Sequence, residues 1–129
     1  MQGNRSRILL ALFFIVAGCL HFIFPANYSR VMPPWLPAHL SLVLLSGGFE
    51  IAGGIGVLLP RWRRSAGMGL ILLSLAVLPA NVQMWLNARA DGSALGWQAL
   101  LVLRLPLQLL LIYWIGRATR LIDPAKCCR

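Results

Sequence analysis

Six strongly polar side chains interrupt the long apolar runs of this 129-residue sequence, and they are its candidates for chemistry. They are His21, Glu50, Asn81, Gln83, Arg104 and Gln108. In hydrocarbon an ionisable or amide group is costly unless it is paired, so such residues mark a functional site or a contact that fixes helix packing. A carboxylate, a guanidinium, an imidazole and several amides could together bind a polar ligand or handle protons.

The depths of these groups along their apolar runs place them in one half of a bilayer. At about 1.5 Å per residue, His21 lies about 5 Å and Asn81 about 8 Å from the same surface. Arg104 lies about 9 Å and Glu50 about 15 Å from it. We therefore expect a polar layer centred on a Glu50–Arg104 ion pair and bordered by His21 and Asn81. Gln108, one turn after Arg104, shares its helix face.

Three interpretations of this layer follow from the residues. It could fix helix pairing and do nothing else, because opposite charges compensate one another in hydrocarbon. It could instead form a site for a ligand such as a quinone, or for protons. In the third interpretation one or more groups extend outward to the bilayer surface and never meet, for which the Arg104 side chain is long enough.

The composition indicates which class of protein holds these polar groups in place. Hydrophobic types make up 59% of the chain and charged residues only 12%, against roughly 25% charged residues in an average soluble domain. This apolar content excludes a disordered chain, and three cysteines do not make a disulfide scaffold. The net charge of +9 is shared with long uncharged runs, so we expect no nucleic-acid partner. An integral membrane protein that contacts membrane lipids is predicted.

Four apolar runs are long enough to cross a bilayer as helices, which takes roughly 17–25 residues. They cover about 8–24, 40–59, 66–86 and 98–116. Prolines and the Asp91-Gly92 pair lie in the gaps between runs, where turns are expected. The sequence thus predicts an all-α, integral membrane four-helix bundle that forms a single transmembrane domain over residues 1–129.

The distribution of basic residues predicts the orientation of this bundle. Nine positive charges flank one side of the predicted membrane, and the gaps on the other side contain only Arg30 and Arg89. The nine are Arg5, Arg7, Arg61, Arg63, Arg64, Arg117, Arg120, Lys126 and Arg129. By the positive-inside rule both termini are cytoplasmic. The aromatic, proline-rich segment 27–39 then lies in the opposite interface.

Small residues on the second run predict close helix packing. Gly48, Ala52 and Gly56 follow one another at four-residue spacing, which is typical of helices that approach closely in a membrane. The same stripe could serve contacts between copies of the chain.

The cysteines leave one processing alternative open and predict no redox or metal site. The segment before Cys19 also fits the small-residue pattern of a bacterial lipoprotein cleavage site, although the apolar run continues beyond it. Cys127 and Cys128 are adjacent, and no cysteine pair has redox spacing. No metal site and no cofactor motif is predicted from these residues.

Several stretches resemble the DoxX family of small bacterial four-helix membrane proteins. They are AGCLHFIFPANY (17–28), MPPWLP (32–37), SGGFEIAGGIGVLLPRWRRSAG (46–67), AVLPANVQM (76–84) and LRLPLQLLLIYW (103–114). The resemblance implies a multi-pass protein of the bacterial cytoplasmic (inner) membrane. It also implies an association with quinones, because the family takes its name from a membrane subunit of a thiosulfate:quinone oxidoreductase.

We therefore expect an accessory or quinone-associated membrane subunit that uses the polar layer as its site, with a redox partner protein. The alternatives are a binder or carrier of small solutes or lipids that acts as a homo-oligomer, and a purely structural membrane protein. The residues do not predict whether the chain is an enzyme.

Overall fold

The computed structural model describes residues 2–30 and 32–122. This part of the chain consists of helices and the irregular segments that join them. Four long helices are α1 (Gln2–Ile23), α3 (His39–Leu58), α4 (Arg63–Ala90) and α5 (Leu95–Ala118), and a short helix α2 (Pro25–Arg30) follows α1. Each long helix is long and apolar enough to cross a membrane. The prediction of four apolar helices is confirmed, and they are typical of a multi-pass membrane protein.

Residues that favour turns mark the ends of the helices better than the edges of the apolar runs do. Pro60 follows the end of α3, and Gly92 adopts a left-handed φ of 63° in the turn between α4 and α5. Pro79 and Pro106 lie inside α4 and α5 without ending them. α1 begins at Gln2, six residues before the predicted run, so the polar residues that precede the run are helical as well. The short helix α2 was not predicted.

The helices pack in a ring with one weak seam. α1 packs on α3, α3 on α4 and α4 on α5, whereas α1 and α5 meet only sparsely. The backbones of α1 and α3 approach closely, because a Cβ at Gly18 would lie 2.6 Å from the carbonyl oxygen of Gly47. Gly54 meets α1 in the same way, 2.9 Å from the carbonyl oxygen of Ala11. Small residues therefore fix α1 against α3, as expected for helices in lipid.

The predicted stripe of small residues is only partly a packing surface. A Cβ at Gly48 would have nothing within 4 Å, and Ala52 is exposed. Gly56 alone of the three packs on another helix, with its Cβ position 2.7 Å from the Cβ of Ala66 on α4. Four residues exceed one helical turn by about 40°, so the stripe rotates from the outer surface of α3 toward α4. The glycines that contact α1 are offset from it by one or two positions.

A closed hydrophobic core occupies one end of the bundle. Its buried members come from all four long helices: Leu10, Phe14, Val57, Leu70, Ile115 and Ala118. The indole Nε1 of Trp114 donates to the hydroxyl oxygen of Ser6 at 2.7 Å, which joins α5 to α1 there. We call this the arginine-rich end, because it contains Arg5, Arg7, Arg61, Arg63, Arg64, Arg117 and Arg120. Lys126 and Arg129 of the predicted cytoplasmic set lie outside the described residues.

Candidate functional site

A cavity of about 580 Å³ separates the helices in the half of the bundle away from the arginine-rich end. All five helices contribute to its walls, which are mostly apolar and aromatic. Five of the six polar candidates line it: His21, Glu50, Asn81, Arg104 and Gln108. Residues from four different helices thus converge on one space, as a polar layer requires. We refer to it below as the polar cavity.

The carboxylate of Glu50 is paired with a histidine on α1. Its Oε2 lies 3.4 Å from Nδ1 of His21, and Glu50 is 8% exposed. With Nδ1 protonated, His21 donates to the carbonyl oxygen of Ala17 at 2.8 Å. Glu50 Oε2 is consequently buried without a hydrogen bond from any described residue. An unsatisfied buried acceptor is costly, so this oxygen is a position where a ligand donor would be stabilised.

The backbone of α1 and α3 brings this pair together. A Cβ at Gly47 would lie 2.7 Å from the Cβ of His21, so only a glycine allows the imidazole to approach α3 at this point. Glu50 follows Gly47 by three residues and therefore lies on the same helix face. The Tyr28 ring stacks on the imidazole with 4.0 Å between ring centroids and 24° between planes. Tyr28, which belongs to α2, thereby packs against His21 of α1.

The predicted Glu50–Arg104 ion pair is wrong. Arg104 is exposed, and its Nη1 contacts Sδ of Met84 at 3.7 Å. Within the described residues the His21–Glu50 contact is the one pair of opposite ionisable groups within 4.0 Å. The reason is the ring order of the helices: α3 and α5 are diagonal neighbours that do not pack on each other. Glu50 and Arg104 therefore line opposite walls of the polar cavity.

Amide groups line the cavity wall formed by α4 and α5. Asn81 is buried on α4, and Gln108 Nε2 donates to the carbonyl oxygen of Ser74 at 3.2 Å, which joins the two helices. Gln83, the other amide candidate on α4, donates to Oδ1 of Asn87 at 2.8 Å and does not line the cavity. This wall offers N–H donors, whereas Glu50 offers an acceptor on the other side.

The polar cavity opens sideways between α1 and α5. Most of its exposed lining residues lie along these two helices: Phe13 and Leu20 on α1, Phe24 just after it, and Arg104 on α5. α1 and α5 are joined near the arginine-rich end by the Ser6–Trp114 hydrogen bond and otherwise make few contacts with each other. The opening therefore faces the surface that, in a membrane, would be covered by lipid chains.

Sequence reasoning missed three residues of this site. Tyr28 supports His21, Met84 contacts Arg104, and Ser74 accepts from Gln108. Pro25 lies between His21 and Tyr28, so helical periodicity does not relate the two residues. Met84 is an apolar residue within an apolar run, so nothing in the sequence distinguishes it from its neighbours. Among residues 2–30 and 32–122, no group of three histidine, cysteine or acidic side chains could hold a metal ion.

A second, larger groove of about 860 Å³ lies between α3 and α4 on the outside of the bundle. Its lining is almost wholly apolar and includes Phe49, Leu59 and Leu72. It contains none of the polar candidates, so the polar cavity is the site with groups that could orient a ligand.

Comparison with known proteins finds one family. A family model described as a domain of unknown function, DUF8561, matches residues 10–119, which include all five long and short helices in whole or in part. No curated protein matches the chain, and no solved structure matches it.

Proposed function

The chain belongs to the DUF8561 family, and from the geometry of its polar cavity we propose that it binds a lipid-soluble ligand with a polar head, of the quinone type. In this proposal it acts as an accessory membrane subunit. The observation that carries the proposal is the buried Oε2 of Glu50, which accepts no hydrogen bond from a described residue and faces a cavity with amide and guanidinium donors on its opposite wall.

The two walls suit the head group of such a ligand. A quinol could donate from one hydroxyl to Glu50 Oε2 and accept, at the oxygen of its other hydroxyl, from Asn81 or Arg104 across the cavity. Because a quinone ring has oxygens on opposite sides, one molecule can meet both walls. Aromatic side chains, among them Phe14 and Tyr28, line the space between them. When bound, the quinone would supply redox chemistry, while the residues of this chain orient its ring and accept its hydrogen bonds.

The sideways opening suits the apolar tail of the ligand. Phe13, Leu20 and Phe24 border the opening, so an isoprenoid or acyl chain could leave the cavity into lipid without burying a polar group. A ligand that is soluble only in water would have to cross this apolar rim. The geometry therefore favours a lipid-soluble ligand over a polar solute.

The proposed setting is the bacterial cytoplasmic membrane, with the arginine-rich end on the cytoplasmic side and both termini there. The clustering of seven described arginines at one end supports this orientation under the positive-inside rule. The resemblance to the DoxX family supports a quinone ligand and a redox partner protein, and both stay proposals. The polar cavity would then lie in the outer half of the bilayer.

The proposal is tested by titrating a decyl-substituted benzoquinol, kept reduced under anaerobic conditions, into the purified protein in lipid nanodiscs and following tryptophan fluorescence. We expect saturable binding that Glu50→Gln and Arg104→Met each weaken by about tenfold, as for loss of one hydrogen bond to a charged group. The matched controls are Asp91→Asn and Arg89→Met, which remove the same charges outside the cavity. Equal affinities of all five proteins would contradict the proposal.

A second candidate function is a carrier of small solutes. The observation in its favour is Asn27, an exposed polar residue that lines the same cavity and gives it a polar route to the bilayer surface. A carrier, acting as a homo-oligomer, would move solute across liposomes without binding quinone. A purely structural protein would show neither flux nor quinone binding.

A further inference from the structure

Three arginines from different parts of the chain gather at one corner of the arginine-rich end. The positive charges of Arg7 and Arg120 act on the guanidinium of Arg63, which itself donates from Nε to the carbonyl oxygen of Val57 at 3.2 Å. Arg7 belongs to α1, Arg63 begins α4 and Arg120 follows the end of α5. Like charges in proximity repel, so this arrangement needs a cause.

The packing of the helix ends fixes this corner. Gly67 lies one turn after Arg63, and a Cβ there would collide with the side chain of Thr119, which directly precedes Arg120. The hydrogen bond from Trp114 to Ser6 holds α1 beside α5, and Arg7 is the next residue. The three arginines therefore converge because the bundle is tightly closed here.

The described residues provide no acidic partner for this cluster. Within the described part of the chain, the ion pairs within 4.0 Å comprise only His21–Glu50, and Asp91 ends α4 at the opposite end of the bundle. The Nε atom of Arg7 is buried, and no described residue accepts a hydrogen bond from it. α4 also begins at Arg63 without a side chain that caps its first amides. Among residues 2–30 and 32–122 these donors and positive charges have no anionic partner, which favours an anion at this position.

The backbone of Arg120 supports a role for its side chain. Its φ is 59°, and it occupies the left-handed position of a Schellman motif, in which Leu121 N–H donates to Gly116 O and Arg120 N–H to Arg117 O. Glycine is the usual residue here, and any other costs roughly 1–2 kcal/mol. The sequence thus has a strained arginine where glycine would fold better, which is typical of residues kept for a function.

We propose that Arg7, Arg63 and Arg120 form a binding site for a phosphate group, that of an anionic phospholipid head. Guanidinium groups bind phosphate oxygens in pairs of parallel hydrogen bonds, and a negatively charged phosphate would offset part of the repulsion among the three arginines. The site lies where helices long enough to span a bilayer end, and this is the depth of lipid head groups. This site is independent of the polar cavity and of the quinone proposal.

The variant Arg120→Gly distinguishes an effect on lipid binding from an effect on stability at this site. It removes the guanidinium and relieves the left-handed strain, so stability should be unchanged or higher while phosphatidylglycerol binding weakens about tenfold. Ala38→Gly is the backbone control, because Ala38 also has a positive φ, of 51°, and lies far from the cluster in sequence. Arg64→Gln is the charge control at the same end, outside the three arginines.

Native mass spectrometry from mild detergent measures the number of bound lipids and their affinity for each variant. We expect the wild type, Ala38→Gly and Arg64→Gln to bind one phosphatidylglycerol with equal affinity, and Arg120→Gly and Arg63→Gln to bind it about tenfold more weakly. Retention of that lipid by both variants at wild-type affinity would overturn the site. A parallel titration with inorganic phosphate identifies the source of the phosphate group, because saturation by free phosphate at equal affinity would overturn the lipid assignment.

Discussion

Replacing Gly47 by alanine tests the contact that brings His21 to Glu50. A Cβ at this position would lie 2.7 Å from the Cβ of His21 and 2.9 Å from the carbonyl oxygen of Gly18. Carbon atoms in good contact are about 3.5–4.0 Å apart, and both neighbours are attached at or next to the backbone of α1. They cannot swing aside, so α1 must move away from α3. Overpacking of this kind costs about 1–3 kcal/mol.

Gly48→Ala is the matched control for this variant. Its Cβ would have nothing within 4 Å, so it changes only the intrinsic helix preference, by about 1 kcal/mol in favour of alanine. Gly47→Ala gains the same preference, and the difference between the two variants isolates the overpacking. We therefore expect Gly47→Ala to be less stable than Gly48→Ala by about 1–3 kcal/mol.

Reversible unfolding in mixed micelles with increasing dodecyl sulfate measures this difference. The displacement of α1 also moves His21 from Glu50, so Gly47→Ala should bind the decyl-substituted benzoquinol more weakly than Gly48→Ala does. Equal stability of the two variants would refute the packing of α1 on α3. Unequal stability with equal quinone affinity would refute the role of the His21–Glu50 contact in binding.

Three further predictions concern other parts of the bundle. Leu10→Ala, at a fully buried position, should lower the free energy of unfolding by about 2 kcal/mol, whereas Leu9→Ala, at a residue 59% exposed, should change it little in the same dodecyl sulfate assay. Gly67→Ala, whose Cβ would collide with the side chain of Thr119, should lower the midpoint of thermal aggregation in detergent relative to Gly69→Ala, which has open space there. Tyr28→Leu should weaken quinone binding in nanodiscs several-fold with little loss of stability, because it removes the ring stacked on His21.

The helices could be predicted because lipid imposes a strong constraint on sequence. A run of about 20 apolar residues matches the thickness of the bilayer core, and each predicted run falls on a helix of the structure. The polar candidates could also be placed at a common depth, because depth depends only on the rise per residue along each run. His21 and Glu50 line one cavity for this reason.

The partners of these groups could not be predicted, because depth does not determine which helices are neighbours. Arg104 and Glu50 have opposite charges and similar depths, yet their helices are diagonal in the ring. The neighbour of α3 is set by where its backbone allows close approach, and the spacing of Gly47 and Gly54 directs α1 there. The regular spacing of Gly48, Ala52 and Gly56 suggested a different face, most of which is exposed.

Photoaffinity labelling in nanodiscs tests the central claim, that the polar cavity binds a quinone-type ligand, most directly. An azido-substituted quinone is cross-linked by light, with and without excess decyl-substituted benzoquinone, and the labelled peptides are identified by mass spectrometry. We expect competed labels on the cavity walls, within 13–28 of α1 and α2 and within 81–108 of α4 and α5. Competed labels on the apolar groove of α3 and α4, around Phe49 and Leu72, would contradict it.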